Sequence, residues 1–205
     1  MVNINISSKR WLIVGGGEVA TRRLKKIIES EGSVKLVGKS ISKQIKNISK
    51  KNKNIKLLER SYRVSDLNST DFVIACTNNT DLNDKIIKAS RKKNILASNA
   101  SNQKLSDFSF TSTFKLNKDI SINFDTAGNS PLFSKVIRIL FQENLKQDLL
   151  KIYKLLKSSR RDKDELKRLE KLILKSGLLK SGTYNNNVTK IIKELKKGIK
   201  ANGSS

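Results

Sequence analysis

The sequence predicts an α/β protein with a Rossmann-like, doubly wound parallel sheet, followed by a small strand–helix region and a helical C-terminal region. Three observations support this prediction. A glycine-rich stretch at residues 14–20 follows an apolar run near the start of the chain. Short apolar runs and helical patterns then alternate as far as about residue 107, which is typical of a parallel sheet covered by helices. Beyond that point, two strictly alternating segments precede patterns that are only helical.

The charge and aromatic content restrict the partners. The chain has 205 residues and a formal net charge of +25, from 43 Lys and Arg against 18 Asp and Glu. Such a surface attracts polyanions: nucleic acid, an anionic membrane, or a small molecule with many carboxylates. The lysines are spread along the chain, as general compositional drift would place them, and only 5% of the residues are aromatic. That is too few for base-stacking platforms for single-stranded nucleic acid. A basic nucleic-acid-binding protein is therefore an alternative that only the charge motivates, without a recognised nucleic-acid motif. We expect no nucleic-acid partner, and no membrane partner because no apolar run is long enough to cross a bilayer.

Cysteine and histidine content indicate the compartment and the metal chemistry. A single cysteine, Cys76, cannot form a disulfide within the chain and is typical of a reducing compartment. With no histidine, the usual imidazole zinc sites cannot form, and we predict no metal site. The first residues lack the basic-then-apolar order of a signal peptide, and no apolar run approaches the roughly 20 residues that cross a bilayer. We therefore expect a cytoplasmic protein.

The glycine-rich stretch predicts a strand, a tight turn and a helix that together bind a pyrophosphate. Gly15 permits the turn, Gly17 allows the backbone to approach a ligand, and Ala20 is small enough for the helix to pack on its strand. The free N–H groups and the positive dipole end of the helix would face the phosphates. Taken alone, this G-x-G-x-x-A match is weak, because glycine turns are common in α/β chains.

Apolar patterns and capping residues predict the elements that follow. They are strands at 11–14, 34–37, 55–58, 71–76 and 95–97, and helices at 18–31, 42–53 and 81–93. The strand at 71–76 is the most continuous apolar run and should be central in the parallel sheet, whose ligands bind at the carboxyl ends of the strands. The acidic residue that often binds ribose hydroxyls is missing after the second strand, where Lys39 stands. The choice between NAD and NADP therefore stays open at this point.

The second half of the chain has a different pattern. Residues 108–114 and 120–124 alternate strictly, as half-buried strands do, and predict a hairpin around Asn117 and Lys118. Pro131 follows a turn and predicts the first position of a helix. From Lys146 onward the pattern is helical, and residues 201–205 are predicted to be a disordered tail. Cys76 is interpreted as a small core residue.

Several spaced motifs agree with one family. The chain resembles the precorrin-2 dehydrogenases of sirohaem synthesis, which also occur as the N-terminal module of sirohaem synthases. The resemblance covers residues 4–150, about three quarters of the chain, and depends on the order and spacing of its motifs. The motifs are Val14-Gly15-Gly16-Gly17-Glu18-Val19-Ala20, Arg60-Ser61-Tyr62 with Asp66-Leu67, Val73-Ile74-Ala75-Cys76-Thr77-Asn78 with Leu82-Asn83, Asp107-Phe108-Ser109-Phe110, and Gly128-Asn129-Ser130-Pro131.

The resemblance implies an oxidoreductase of sirohaem, and hence porphyrin, biosynthesis that dehydrogenates precorrin-2 to sirohydrochlorin and passes hydride to NAD. The substrate would be a tetrapyrrole rimmed by carboxylates, for which a basic cleft has a physical purpose. Some members also insert ferrous iron. By position, the dinucleotide contacts beyond Gly15 and Gly17 fall on Glu18, Val19, Ser40 and Ile41, with Thr77 and Asn78 lining the cleft. Members are homodimers that exchange the region matching residues 108–150.

These implications give the regions their roles. We predict a dinucleotide-binding domain over 1–107, a dimerisation and substrate region over 108–150, and a helical C-terminal region over 151–205. Gly128 is a candidate donor of backbone N–H groups to a substrate carboxylate, although an ordinary turn is nearly as good an interpretation. Ser130 is a second substrate candidate, and a helix N-cap is its simplest interpretation. Thr77 and Asn78 would also serve as caps of the helix that follows them.

The chain departs from the family at the expected general base. The family has an aspartate shortly after the fifth strand, and the matching position is Ser101 or Asn102, depending on the alignment. Neither side chain accepts a proton usefully near neutral pH. Asp125 is a weak substitute, and Asp107 is better interpreted as a residue at the entry to a strand. The departure motivates an alternative to the dehydrogenase, which stays the first hypothesis: a relative that binds dinucleotide and tetrapyrrole without dehydrogenase activity, in a chelatase or regulatory role.

Overall fold

Five parallel strands form the main sheet, in the order β3-β2-β1-β4-β5. The computed structural model describes residues 6–117, 119–126, 129–158, 167 and 171. The strands are β1 (Arg10–Val14), β2 (Ser33–Gly38), β3 (Ile55–Glu59), β4 (Phe72–Ala75) and β5 (Leu96–Asn99). The helices between them are α1 (Glu18–Ile28), α2 (Lys43–Lys50) and α3 (Thr80–Arg91), with short 3-10 turns at Val64–Leu67 and Gln103–Leu105. The predicted doubly wound Rossmann-like sheet is thereby confirmed, with element boundaries that differ from the predicted ones by at most three residues.

The strand order places a crevice beside β1. The chain runs outward from β1 through β2 to β3, then returns to the other side of β1 to form β4 and β5. In such sheets, ligands bind outside the carboxyl ends of the strands where the order reverses. The loops after β1 and β4 lie at that point. The strand predicted to be central, β4, is an interior strand that pairs with both β1 and β5, but the central position belongs to β1.

Each face of the sheet has its own apolar core. Alternate residues of β1 point to opposite faces, so Trp11 and Ile13 join one cluster while Leu12 and Val14 join the other. The first cluster is covered by α1 and α2 through buried Ala20, Leu24, Ile27 and Ile45, and the second by α3 through Ile86 and Ile87. The sheet beneath the loops at its carboxyl edge is therefore packed on both faces.

The chain from 108 to 114 corrects one prediction. A strand was predicted over this whole segment, but strand β6 spans only Ser112–Lys115. Phe108 and Phe110 instead lie over Trp11 of the main sheet, with ring centroids 5.7 and 6.2 Å from its indole. The alternation therefore reflects a segment that half-buries Phe108 and Phe110 against the first core without pairing in a sheet.

The second compact unit follows. Residues 1–110 and 111–205 form separate contact units. In the second unit, β6 pairs antiparallel with β7 (Ser121–Phe124), which confirms the hairpin. Helix α4 (Pro131–Leu140) begins at Pro131 as predicted, and continues through a π-helical turn (Phe141–Leu145) into α5 (Lys146–Ser158). The predicted helices beyond 158 and the predicted tail at 201–205 lie outside the described residues, except that Lys167 and Lys171 are helical. No helix in the described part is long and apolar enough to cross a membrane.

An ion pair between half-buried Arg60 and buried Asp66 stabilises the chain between β3 and β4. Asp66 is 4% exposed, and its carboxylate accepts from both terminal nitrogens of Arg60 at 2.6 and 2.9 Å and from the Arg63 N–H at 2.9 Å. The hydrogen bonds from Arg60, followed by the Arg63 N–H and the nearby positive charge, hold the pKa of Asp66 below its ordinary value. The 3-10 turn at Val64–Leu67, which lies between β3 and β4, is thus held in place by the ionised carboxylate of Asp66.

We expect Asp66→Ala to lower the free energy of unfolding by about 2 kcal/mol near neutral pH, since Arg60 is partly solvent-screened. Because folding lowers the pKa of Asp66, its contribution is complete above the unfolded value of about 4 and is lost as the pH falls further. Urea unfolding of both proteins should therefore give a difference that shrinks below about pH 4. Asp81→Ala, an exposed site, is the control, and an equal loss there would contradict this account.

Candidate dinucleotide-binding site

The turn after β1 has the conformation that only glycine adopts easily. Gly15 has φ +130°, and its N–H donates to the Val37 carbonyl at 2.8 Å. A Cβ atom at Gly15 would overlap the backbone carbonyl of Cys76, which follows β4. The predicted tight turn at Gly15 is present, and it places the loops after β1 and β4 in direct contact.

Gly16 is required for a reason that the sequence did not reveal. A Cβ atom there would overlap the Ser40 carbonyl oxygen and lie 2.9 Å from the Ile41 Cα. The Gly16 carbonyl also accepts from the Ser42 N–H at 3.0 Å. Gly38, at the end of β2, lies against the same backbone, with its own Cβ position 3.2 Å from the Gly16 nitrogen. The glycine turn is therefore closed on the β2 side by backbone alone.

Gly17 is the open position of the turn. No atom lies within 4 Å of a Cβ built at Gly17, and the residue is exposed. It caps α1 without a side-chain hydrogen bond, so the first N–H groups of the helix have no side-chain acceptor. An uncapped helix N-terminus with an open approach is the arrangement that binds a phosphate. Ala20 is fully buried, which confirms that its small side chain allows α1 to pack on the sheet.

The other predicted contacts on this side differ in what they offer. Glu18 is exposed and Val19 is half-buried at the start of α1. Ser40 is exposed, whereas the Ile41 side chain is 5% exposed and belongs to the first core. Ile41 can therefore contact a ligand mainly through its backbone.

Glu59 is a carboxylate on this side that sequence reasoning missed. It lies at the end of β3, opposite Gly38, and accepts from the Ile41 N–H at 3.3 Å and from Lys46 Nζ at 2.8 Å. The Lys46 hydrogen bond, followed by the Ile41 N–H, lowers the pKa of Glu59. The acidic group that the sequence lacks after β2 is thus present on the neighbouring strand.

The loop after β4 is held by a buried amide. Asn83 is fully buried in α3, and its Oδ1 accepts from the Thr77 N–H at 3.0 Å and from the Thr77 hydroxyl at 2.7 Å. The prediction that Thr77 or Asn78 caps α3 is wrong: the N-cap is Asn79, whose Oδ1 accepts from the Leu82 N–H. Thr77 instead braces the loop, and Asn78 is exposed beside it.

Cys76, one residue earlier, is confirmed as a core residue. Burial raises the pKa of its thiol to about 12, so the group stays protonated and plays a packing role.

The two positions that match the family aspartate follow β5. Ser101 donates its hydroxyl to Asn99 Oδ1 at 2.8 Å and accepts from Asn83 Nδ2 at 3.0 Å. The Asn102 N–H donates to the same Asn99 oxygen at 3.1 Å. Asn83 thereby brings Ser101 next to Thr77 at the carboxyl edge, and the Ser101 hydroxyl is already engaged as donor and acceptor.

The remaining candidates have structural partners or lie elsewhere. The interpretation of Asp107 as a strand-entry residue is wrong, because the next strand, β6, begins only at Ser112; Asp107 instead binds Arg91 and accepts from the Ala97 N–H at 3.0 Å. Asp125 belongs to the second unit, where it is exposed. Ser130 accepts from the Phe133 N–H at 3.3 Å, as the N-cap of α4. Gly128 lies outside the described residues.

Comparisons with known proteins agree with this geometry. Residues 2–112 match a family model described as "Putative NAD(P)-binding". A "Siroheme synthase" of Vesicomyosocius okutanii is 31% identical over 69% of this chain and 30% of its own length. A "Putative precorrin-2 dehydrogenase" of Methanocaldococcus jannaschii is 27% identical over 70% of this chain and 72% of its own. The solved structure of "SirC, precorrin-2 dehydrogenase" aligns with a TM-score of 0.67 at 20% identity, over 96% of this chain and 98% of that one. The chain spans about a third of the siroheme synthases that it matches.

Proposed function

We propose that this chain, which belongs to the NAD(P)-binding family whose model it matches, is an NAD-dependent dehydrogenase that oxidises precorrin-2 to sirohydrochlorin in sirohaem synthesis. The uncapped N-terminus of α1, open at Gly17 and placed at the crevice beside β1, is the observation that carries the proposal. The names of relatives from two organisms support the choice of substrate. The net charge of +25 suits a substrate with many carboxylates.

Different residues along the carboxyl edge of the sheet would contact different parts of the dinucleotide. The first N–H groups of α1 would bind the pyrophosphate, with Ser40 and the Ile41 backbone on the β2 side and Thr77 and Asn78 on the β4 side. When bound, NAD supplies the hydride acceptor. NAD rather than NADP is what the resemblance to the precorrin-2 dehydrogenases implies; the Glu59 carboxylate on this side is already paired with Lys46 at 2.8 Å.

Loss of the substrate proton does not depend on a base at the family position. Dehydrogenation removes a hydride and a proton, so the products are sirohydrochlorin, NADH and H⁺. The Ser101 hydroxyl hydrogen is committed to Asn99, and the Asn102 amide is not basic. The proton therefore passes to water, to a substrate carboxylate or to another nearby side chain.

An anaerobic assay tests the proposal. Purified protein mixed with precorrin-2 and NAD is expected to produce NADH and the absorption spectrum of sirohydrochlorin, and to act more slowly with NADP. A folded protein that binds NAD but gives no product would favour the alternative, a binding relative without dehydrogenase chemistry. Restoring aspartate separately, as Ser101→Asp and Asn102→Asp, would then show whether a missing base is the reason.

The single cysteine, a buried free thiol, supports a cytoplasmic location.

We further propose that the protein is a homodimer. Four apolar side chains of α4 are exposed in the described part of the chain: Leu132, Phe133, Val136 and Leu140, at 71, 56, 43 and 48%. Exposed apolar patches of this kind mark association surfaces, and a twofold dimer uses the same patch on both copies.

Phe133→Glu is expected to convert the dimer to a monomer at low micromolar concentration, because it places a charge in the apolar interface. Sedimentation equilibrium measures the change, and Lys135→Glu, an exposed change on the same helix, is expected to leave the dimer intact. A wild-type monomer, or a Phe133→Glu protein that still dimerises, would contradict the proposal.

A further inference from the structure

A buried amide of α3 joins the loops that follow β4 and β5. Asn83 Nδ2 donates to the Thr77 carbonyl and to Ser101 Oγ, both at 3.0 Å. Its Oδ1 accepts the two hydrogen bonds from Thr77 described above. The two loops are therefore linked to each other by hydrogen bonds through the start of α3.

The next residue of the helix, Asp84, holds the same assembly from the β5 side. Its Oδ1 accepts from Asn99 Nδ2 at 2.7 Å. Asn99 is 3% exposed, and its own Oδ1 accepts from the Ser101 N–H at 2.9 Å, the Ser101 hydroxyl at 2.8 Å and the Asn102 N–H at 3.1 Å. An ionised carboxylate only accepts hydrogen bonds. Asp84 therefore requires Asn99 to turn its NH₂ toward the helix and its oxygen toward the 101–102 turn.

Asp84 differs from three other carboxylates that lie beside the sheet. Asp66, Asp71 and Asp107 each form an ion pair with an arginine. None of the ion pairs between described residues includes Asp84, although the chain has 43 Lys and Arg. Its hydrogen bond goes to a neutral amide instead. Partial burial of a carboxylate without a cation is unfavourable. The hydrogen bond from Asn99 to Asp84 fixes the orientation of the Asn99 amide.

The hydrogen bonds that join Asp84, Asn99 and Ser101 lie toward the reacting end of a bound dinucleotide. Along the strand order, Ser40 follows β2 on one side of β1, and Ser101 follows β5 on the other. A dinucleotide whose pyrophosphate lies at α1, with its adenosine ribose at the end of β2, extends its reacting end toward β4 and β5. The turn at 101–102 then lies on the side of the reaction.

We propose that Asp84 is a positioning residue for the dehydrogenation: through Asn99 it orients the 101–102 turn at the reacting end of the site. The inference rests on the proposed function. The Asp84 carboxylate itself does not have to reach the substrate, since it acts through the Asn99 amide.

The expected kinetic result separates position from charge. Asp84→Asn keeps an acceptor oxygen for Asn99 and should retain kcat within about threefold. Asp84→Ala removes the acceptor and should lower kcat about tenfold or more, because small misplacements near a reacting centre have large effects on rate. The Kd for NAD should change less than about twofold, since the glycine turn is untouched. Asp81→Ala, which removes an exposed carboxylate one turn earlier on the same helix, is the matched control and should keep wild-type kcat.

Backbone amide hydrogen exchange at Ser101 and Asn102 tests the coupling without any turnover. Exchange should accelerate in Asp84→Ala and stay at the wild-type rate in Asp81→Ala and Asp84→Asn. If Asp84→Ala does not fold, Asp84→Ser replaces it, because its hydroxyl is too short to reach Asn99. The inference is overturned if exchange at both amides is unchanged, or if exchange rises while kcat matches that of Asp81→Ala. Failure of the proposed function is distinct, since it appears in the wild-type protein as absence of precorrin-2 oxidation.

Discussion

Gly17→Ala is expected to weaken NAD binding at least tenfold while the protein stays folded. The Cβ atom would enter the open space in front of α1, which a phosphate needs for close approach to the backbone. A tenfold change in Kd corresponds to about 1.4 kcal/mol. The backbone of Gly17, with φ −91° and ψ −158°, is extended and suits alanine. The free energy of unfolding should therefore change by no more than about 1 kcal/mol, the scale of an N-cap effect.

Titration calorimetry with NAD and urea unfolding measure the two quantities separately. Gly17→Ser is the informative companion, because serine restores a capping side chain to α1 and adds bulk at the same position. Serine should recover stability and still bind NAD weakly. Wild-type affinity in either variant would show that the dinucleotide does not pass over Gly17.

Gly16→Ala, unlike Gly17→Ala, is expected to act mainly on stability, with a loss of about 3 kcal/mol or more in the free energy of unfolding. Its Cβ would overlap the Ser40 carbonyl and press on the Ile41 Cα. Both are backbone atoms, which cannot rotate away as a side chain would, and overpacking of this kind typically costs 1–3 kcal/mol, occasionally more. For a unit of this size, the loss should lower Tm by about 10 °C or more.

Far-UV circular dichroism during thermal unfolding measures this effect. Gly17→Ala is the comparison, because both variants replace a glycine with alanine at adjacent positions. The difference between their Tm values therefore reflects the surroundings of the added Cβ atom. A Gly16→Ala protein as stable as Gly17→Ala would contradict the close approach of the loop after β2.

The sheet was predictable because its signals are local. Each strand of the Rossmann-like unit is a short apolar run, and the helix after Gly17 shows a one-sided apolar pattern. The strand predicted at 108–114 was wrong for a physical reason. Alternation only shows that every second side chain is turned toward the core, and Phe108 and Phe110 are half-buried by edge-on and tilted contacts with Trp11, without a partner strand.

The site was predictable only where one residue determines the geometry. Gly15 needs positive φ, which its place in the motif indicates. The need for Gly16 depends on how closely the chain after β2 approaches, and this follows from tertiary packing. The link between Asp84 and Asn99 joins residues on different elements, and no spacing rule brings them together. Glu59 was missed for the same reason, since its position beside Ile41 follows from the pairing of β2 with β3.

The central claim is that this chain transfers hydride from precorrin-2 to NAD. Its most direct test is the stoichiometry of NADH and sirohydrochlorin, followed together in one anaerobic reaction with purified protein. The account predicts that the two products appear in equal amounts and at equal rates, and that Gly17→Ala slows both alike at limiting NAD. Sirohydrochlorin formed without NADH, or neither product from a folded protein that binds NAD, would contradict it.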